Sequence, residues 1–450
     1  MMNKNILKKY FLLSFFVFFA SYLTLGFSQF EYYKNDFILF CINFLYGFTY
    51  SLILFFFIFI RKPNLRSILI ISFIYLFFFG FIYIYMIYDF SGFFFQFVPS
   101  DSPMYHQFGL DVSRTNIFSG IRYLTEVTKY GFSDMGMVFY VSVVYKFIDS
   151  PLFLKFVNLL LNIASTFIIY KISIRFLSNK YSLICSLLFS ISSINLWFLI
   201  SGLKEPLMIL IILISFYYYL LYQENKFTRN LLLSIFFSFL LIFFRIPLFV
   251  MFLISILLSE LNLRRISISG LIAFALILSF TLYVLLINYD IIYWYSIRQN
   301  WSFVENEFKA NNYNYLLSFI SGVYGPLPTI TPNLIHNYHD VSVYASSLIF
   351  KMFLGTFFIL SPYFIIKEKK QVLYPILFFT LFHVFSLFFI EQTFKLRFAM
   401  PHIIFYYMLS FFVIEKIENS NFKYNIVFYF NNISYVVFFF LIIFWNVLRT

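Results

Sequence analysis

The 450-residue sequence has few charged residues, two cysteines and none of the common nucleotide- or metal-binding signatures. Charged residues make up 11% of the chain and hydrophobic residues 62%, which argues against a soluble domain. Cys41 and Cys185 both lie in apolar runs, so a disulfide scaffold and a thiolate metal site are both disfavoured. There is no P-loop, GxGxxG, HExxH or paired CxxC, and nucleotide-driven transport and soluble-type cofactor chemistry therefore lose support.

The net charge of +13 is spread over short clusters, with no basic tract long enough to form a nucleic-acid-binding arm. Lysine and arginine collect in the cytoplasmic loops of membrane proteins, and this bias sets their orientation. We therefore interpret the positive charge as a set of membrane anchors, and we expect no nucleic-acid partner.

The chain is rich in apolar residues, among them 73 phenylalanines. These residues form runs of about 20, a length that suffices to cross a bilayer as a helix. Backbone groups in lipid must be satisfied within the chain, which predicts an all-α polytopic transmembrane bundle forming one membrane domain over residues 1–450. About thirteen spans are predicted, at residues 10–29, 37–60, 67–88, 152–170, 182–201, 207–222, 231–244, 247–259, 267–287, 346–366, 372–390, 398–414 and 424–446.

Two basic clusters, Arg61–Arg66 and Lys367–Lys370, predict cytoplasmic loops and an N-terminus on the same side. Two long polar segments, 89–136 and 288–345, then become outer loops on the periplasmic side. The basic N-terminus and the apolar run after it resemble a signal peptide, but the absence of a small-residue cleavage site favours an uncleaved first helix. Residues 137–148 are too short to span, which favours a re-entrant or interfacial segment.

The first outer loop carries Asp101, Tyr105 and His106 in the run PSDSPMYHQFG, just beyond a span. An acid followed by Tyr and His could supply a general base, a metal ligand or a partner of a phosphate site. A solvated loop with a proline turn explains the same pattern.

Other polar groups interrupt apolar runs on the same predicted face: Lys204 and Glu205, Arg245, and Arg397 with His402 close behind it. Charges near the membrane interior are costly and usually face a polar cavity or a partner. The arginine fork suits phosphate or carboxylate, and a lysine beside a glutamate could bind phosphate and move a proton. An interfacial ion pair and snorkelling arginines are the structural alternatives.

The second outer loop is rich in aromatic residues, among them Trp294, Trp301 and Tyr313, followed by His336 and His339-Asp340. Sugars pack their C–H faces on aromatic rings, so a carbohydrate surface is one interpretation. An aromatic belt at the headgroup level is the other. His383, inside a span, is interpreted as a packed core residue.

Several of these segments resemble the GT-C superfamily of membrane glycosyltransferases. Asp101, Tyr105 and His106 are similar to its first-loop acidic motif, Gly-Leu-Lys-Glu-Pro at 202–206 to its Glu-Pro junction, and Phe-Lys-Leu-Arg-Phe-Ala-Met-Pro at 394–401 to its late arginine segment. The resemblance extends over about 70–415. The size and outer loops also look like those of O-antigen polymerases.

The resemblance implies sugar transfer from a polyprenyl phosphate or diphosphate carrier at the outer face of a bacterial inner membrane. Asp101, His106 and Glu205 would be catalytic, and Tyr105, Lys204, Arg245, Arg397 and His402 would bind substrate. Asp101 could hold a divalent metal, although Ser102 stands where a second acid often occurs.

The implied partners are a polyprenyl-phosphate-linked glycan, membrane lipid, and a chain-length regulator or another polysaccharide assembly protein. The rival interpretation is a lipid-linked oligosaccharide flippase. Flippases usually carry internal repeats and short loops, and the two outer loops of this chain argue against that class.

Overall fold

The computed structural model describes residues 6–29, 34–60, 64–97, 101–115, 120, 132–262, 321–332, 339–389, 396–419 and 425–447. Within these ranges the chain is all-helical and contains no strand, as the sequence predicts. The helices are α1 Ile6–Gln29, α2 Lys34–Phe55, α3 Leu65–Ser91, α4 Asp101–Ser113, α5 Phe132–Tyr145, α6 Pro151–Ser173, α7 Asn179–Ser190, α8 Ser193–Ile200, α9 Glu205–Asn225, α10 Thr228–Phe239, α11 Ile246–Asn262, α12 His339–Val343, α13 Ala345–Lys367, α14 Tyr374–Phe389, α15 Leu396–Asn419 and α16 Asn425–Val447.

Seven of these helices are long and apolar enough to cross a membrane, and an eighth crossing results if α7 and α8 form one bent span. The seven are α1, α2, α3, α6, α9, α13 and α15. Four further predicted spans, at 231–244, 247–259, 372–390 and 424–446, coincide with apolar helices of 10–17 residues. The predicted span 267–287 lies outside the described residues. A membrane-spanning helical bundle is therefore supported, and the count of about thirteen stays a prediction.

The predicted span 182–201 is broken, with a bend of 45° between α7 and α8. Such a break frees backbone carbonyls, which must find donors inside the protein. The Tyr46 hydroxyl donates to the Ile191 carbonyl at 2.6 Å, and Asn162 and Asn195 both donate to the Ser190 carbonyl, at 3.2 and 3.3 Å. Side chains buried in the bundle thus donate hydrogen bonds to the carbonyls at the break.

Helices α13 and α15 pack against each other and are the most deeply buried of the candidate spans. Other helices lie around this pair, with α1 against α13 and α16, and α9 against α6 and α10. Large side chains such as Phe16, Phe81 and Phe440 are exposed on the outside of the bundle. An apolar exterior of this kind fits a lipid environment.

Several charged side chains make contacts at two opposite ends of the bundle. At one end, which we call the inner end, Glu418 accepts hydrogen bonds from the Leu7 amide and the Tyr181 hydroxyl. At the other, the outer end, Asp36 pairs with His339 at 2.6 Å, and Asp101 pairs with Arg397. Arg397 and Glu418 stand at opposite ends of the 24-residue helix α15, which separates the two groups.

The two predicted outer loops meet at the outer end. The Phe97 amide, from segment 89–136, donates to the Asp340 carboxylate, from segment 288–345, at 3.1 Å. The described parts of these segments are partly helical, in α4 and α12. Their contact places them at the same end, and the side of the membrane that this end faces stays a prediction.

We expect an impermeant maleimide applied to intact cells to label Gln107→Cys, which lies exposed on α4, and to leave Lys369→Cys unlabelled. Lys369 lies exposed beside the basic cluster that the positive-inside rule assigns to the cytoplasm. Both variants are made without the exposed native Cys41. Labelling of Lys369→Cys in intact cells, with Gln107→Cys protected, would invert the topology.

Candidate functional site

Four charged side chains from distant parts of the sequence meet at the outer end; we call them the outer cluster: Asp101, Glu205, Arg245 and Arg397. The Arg397 Nε donates to Glu205 Oε1 at 2.9 Å, and its Nη1 donates to Asp101 Oδ2 at 2.5 Å. The Arg245 Nη2 lies 3.5 Å from the same Glu205 oxygen. Arg397 therefore bridges two carboxylates, and Glu205 is shared by two arginines.

Each member of the outer cluster stands at the start of a helix. Asp101 begins α4, Glu205 begins α9, Arg245 immediately precedes α11, and Arg397 is the second residue of α15. The first turn of a helix carries a partial positive charge and unsatisfied N–H groups, which favour anions. Four such ends at one place, with two arginines, form a region suited to a phosphate-bearing ligand.

Glu205 is fully buried, with 0% of its surface exposed. Its Oε1 receives both arginines, while its Oε2 is buried without a hydrogen-bond partner in the described structure. Burying a carboxylate is costly unless it is paired, and the two arginines offset this cost at Glu205. The unpaired oxygen is an acceptor that a ligand hydroxyl or a water could satisfy.

Aromatic and backbone contacts hold Arg245 and the turn before it. The Arg245 guanidinium lies 4.5 Å from the centre of the Phe398 ring, the residue after Arg397. The Lys204 ammonium donates to the Phe244 carbonyl at 2.8 Å and is buried. Lys204 thus fixes the turn that presents Arg245, a role that its sequence context does not predict.

Asp101 is the most accessible member of the cluster, with 46% of its side chain exposed. Tyr105 follows one turn later on the same helix face, is buried, and interacts with the charge of Arg397. The structure thus brings together five of the residues proposed from the sequence: Asp101, Tyr105, Glu205, Arg245 and Arg397. Their catalytic and binding roles stay predictions.

His106 points away from the outer cluster. It is five residues beyond Asp101, about 140° around the helix at ~100° per residue. Its Nδ1 is hydrogen-bonded to the Tyr145 hydroxyl, and its ring lies 4.9 Å from that of Phe95. Burial lowers the pKa of His106, Lys155 lowers it further, and Asp149 opposes the shift. A neutral imidazole can accept a hydrogen bond from the Tyr145 hydroxyl at Nδ1 while it keeps its own proton on Nε2.

His402 is also separate from the outer cluster, deeper in α15. It is buried, and its Nδ1 lies 2.7 Å from the Nδ1 of His383 on α14. His383 is itself buried, as expected for a packed core residue. The Nε2 of His402 has no hydrogen-bond partner in the described structure, and the charge of the buried Lys351 acts on this ring. Lys351, His383 and His402 thus lie within the bundle rather than at either end, and we call them the inner polar group.

A divalent metal at Asp101 finds no support in the donor set. One carboxylate oxygen of Asp101 is bonded to Arg397, a cation that a metal would repel. Among the residues that the structure describes, no three His, Cys, Asp or Glu side chains are grouped so as to hold a metal ion. The described groups of the outer cluster that can take part in chemistry are its carboxylates and guanidinium groups.

Much of the predicted aromatic surface, including Trp294, Trp301, Tyr313 and His336, lies outside the described residues. His339 is described, and it is buried against Asp36 rather than presented to a ligand.

Sequence reasoning missed Lys155, a buried cation near the start of α6. Its signal was visible, because a lysine a few residues inside an apolar run needs a partner or a cavity. Prolines are a signal of a different kind, because proline favours the first helical turn. Pro206 and Pro247 mark the starts of α9 and α11, where Glu205 and Arg245 stand.

A scan against models of protein families, a search of curated proteins and a search of solved structures found no match.

Proposed function

We propose that the chain is a bacterial inner-membrane glycosyltransferase of the GT-C type. It would use polyprenyl-phosphate- or polyprenyl-diphosphate-linked sugars to extend or polymerise a surface polysaccharide of the O-antigen or capsule type at the periplasmic face. The outer cluster is the proposed active site.

The observation that carries the proposal is the bridging of Asp101 and Glu205 by Arg397 where four helices begin. This arrangement combines an accessible carboxylate with preorganised positive charge. Sugar transfer from a lipid phosphate needs both, because a hydroxyl must lose its proton while the leaving group gains negative charge.

In the proposed reaction, the acceptor hydroxyl oxygen attacks the anomeric carbon and the bond from that carbon to the phosphate oxygen breaks. The bonding electrons stay on the leaving phosphate or diphosphate, and the hydroxyl proton passes to a carboxylate. Asp101 is the better candidate for this base because it is accessible, whereas Glu205 is fully buried.

Arg397 and Arg245 would stabilise the leaving group. A guanidinium carries five N–H donors, and the bonds to Asp101 and Glu205 use two of those on Arg397. The remaining donors suit phosphate oxygens. Glu205 then acts as a positioning residue that holds both guanidinium groups in the site.

Asp101→Asn is expected to abolish glycan extension while membrane expression stays near the wild-type level. The side chain is half exposed and contributes little packing, but the amide cannot accept the proton. The measurement is the glycan ladder from a deletion strain complemented with the variant, alongside an immunoblot of the membrane fraction.

Asp111→Asn is the matched control, since Asp111 lies on the same helix and bonds only Gln107 among the side chains described, at 3.1 Å. It should give the wild-type ladder. Full activity of Asp101→Asn would remove Asp101 from the active site and weaken the assignment to this superfamily.

A second candidate function, export of a lipid-linked oligosaccharide, is favoured by the inner polar group of Lys351, His383 and His402. Buried ionisable residues within membrane helices commonly line transport or proton pathways.

The two functions differ in where the lipid-linked substrate accumulates when the protein is missing. Loss of a polymerase leaves single lipid-linked units on the periplasmic face, accessible to an added lectin in spheroplasts. Loss of a flippase leaves them inaccessible on the cytoplasmic face.

A further inference from the structure

Lys155 is a buried ammonium group without a hydrogen-bond partner in the described structure. It is 5% exposed, and no acceptor among the residues that the structure describes lies within bonding distance of its Nζ. The Phe95 ring, 5.5 Å from Nζ, supplies a cation–π contact that offsets only part of the cost of burying the charge. A buried ammonium group in this state is stabilised by an anion that approaches it, and none of the described side chains supplies one.

The position of Lys155 makes the requirement stronger. It lies near the start of α6, where the helix dipole is positive, and its Cα–Cβ bond is tilted back toward that end. Ser150, the residue that precedes α6, makes no side-chain capping bond. A cation and an uncapped helix start therefore lie together, and both favour an anion.

A second polar group lies beside the same aromatic ring. His106 packs on Phe95, and the neutral tautomer in which Nδ1 accepts from the Tyr145 hydroxyl carries an N–H at Nε2 that can donate. Phe95 is itself held in place by Gly202, where φ is +69° and a Cβ would come within 2.8 Å of the ring. Asp149 is the nearby acid, and it is exposed and paired with Arg114 at 3.5 Å.

We infer that Lys155, His106 and the start of α6 form an oxyanion-binding site for a phosphate group, separate from the outer cluster. Lys155 provides the charge, and the His106 Nε2–H provides a directed hydrogen bond. The phosphate can belong to a lipid headgroup, to a lipid diphosphate or to a free ion, since all three present the same oxygens. The site does not depend on sugar transfer by Asp101.

The test is thermal unfolding of the purified full-length protein in phosphatidylcholine nanodiscs. The added probes are inorganic pyrophosphate, farnesyl diphosphate or, in the nanodisc, phosphatidylglycerol. At least one probe should raise the unfolding temperature of the wild type by a few degrees. Lys155→Met should raise the probe concentration that gives a half-maximal response by about 10- to 100-fold, which corresponds to the loss of one hydrogen bond to a charged group.

Without probe, Lys155→Met should unfold at the same temperature as the wild type or higher, because it removes an unpaired buried charge and keeps the side-chain length. A lysine with a merely structural role would give the opposite sign. Lys146→Met is the matched control, because Lys146 lies nearby but exposed, and its probe response should stay within about twofold of the wild type.

A response to pyrophosphate supports a free or diphosphate ligand, and a response to phosphatidylglycerol alone supports a lipid headgroup. The inference is overturned if no probe gives a response that depends on Lys155. Because the assay involves no sugar transfer, retained binding with normal glycan in Asp101→Asn would refute the proposed function alone.

Discussion

Arg397→Lys is expected to reduce glycan polymerisation by at least about 100-fold, the usual cost of losing a donor that stabilises developing charge. Arg397 reaches Asp101 and Glu205 with two different nitrogens, at 2.5 and 2.9 Å. A lysine has a single nitrogen and cannot reproduce this fork while also facing a phosphate. The measurement is the glycan ladder at matched expression, with the rate of lipid-linked substrate consumption in membranes.

The control for this substitution is Arg175→Lys at the inner end, where Arg175 pairs with Glu224. That change preserves a charge pair far from the outer cluster and should leave polymerisation within about twofold. A wild-type ladder from Arg397→Lys would show that only the charge matters there. Arg397 would then be an ordinary snorkelling residue, and the shared-site hypothesis would fail.

Glu205→Gln is expected to lower both stability and activity. It leaves two guanidinium groups facing a neutral amide in a buried site, and removing one partner of a buried ion pair costs about 3–5 kcal/mol. Polymerisation should fall by at least about 100-fold, because neither arginine keeps its position. Chemical denaturation in detergent measures the first effect and the glycan ladder the second.

The double variant Glu205→Gln/Arg245→Met separates these two effects. Removing one uncompensated arginine should restore about 0.5–3 kcal/mol of the free energy of unfolding, the usual size of the interaction energy between two residues in contact. Activity should stay absent, because the phosphate would still lack an arginine. Glu260→Gln, which keeps an acceptor for the Tyr219 hydroxyl, is a control that should change neither quantity much. Restored activity in the double variant would contradict a positioning role for Glu205.

The helical bundle and the grouping of polar residues at one end could be predicted from the sequence. Apolar run length predicts helices, and the basic clusters fix which connections share a side. The pairing of Asp101 with Arg397 across 296 residues could not be predicted in the same way. Which helices are neighbours depends on packing, and a single sequence records this only through the shapes of many side chains.

The two histidines show a second limit. The sequence predicts His106 and His402 as site residues because they lie close to Asp101 and Arg397 along the chain. Each is five residues away on a helix, and such residues do not share a face. The helical periodicity of α4 keeps Tyr105 near Asp101 and separates His106, whereas the loop predicted from the sequence has no such periodicity.

The bend between α7 and α8 has a consequence for biosynthesis. In lipid, each unpaired carbonyl costs several kcal/mol, so a broken span is a poor substrate for insertion by itself. Two of its donors, Tyr46 on α2 and Asn162 on α6, precede the bend in the chain and so emerge earlier from the ribosome. The segment can therefore partition into the bilayer only against helices already inserted, and truncations that remove α2 should leave it exposed to membrane quality-control proteases.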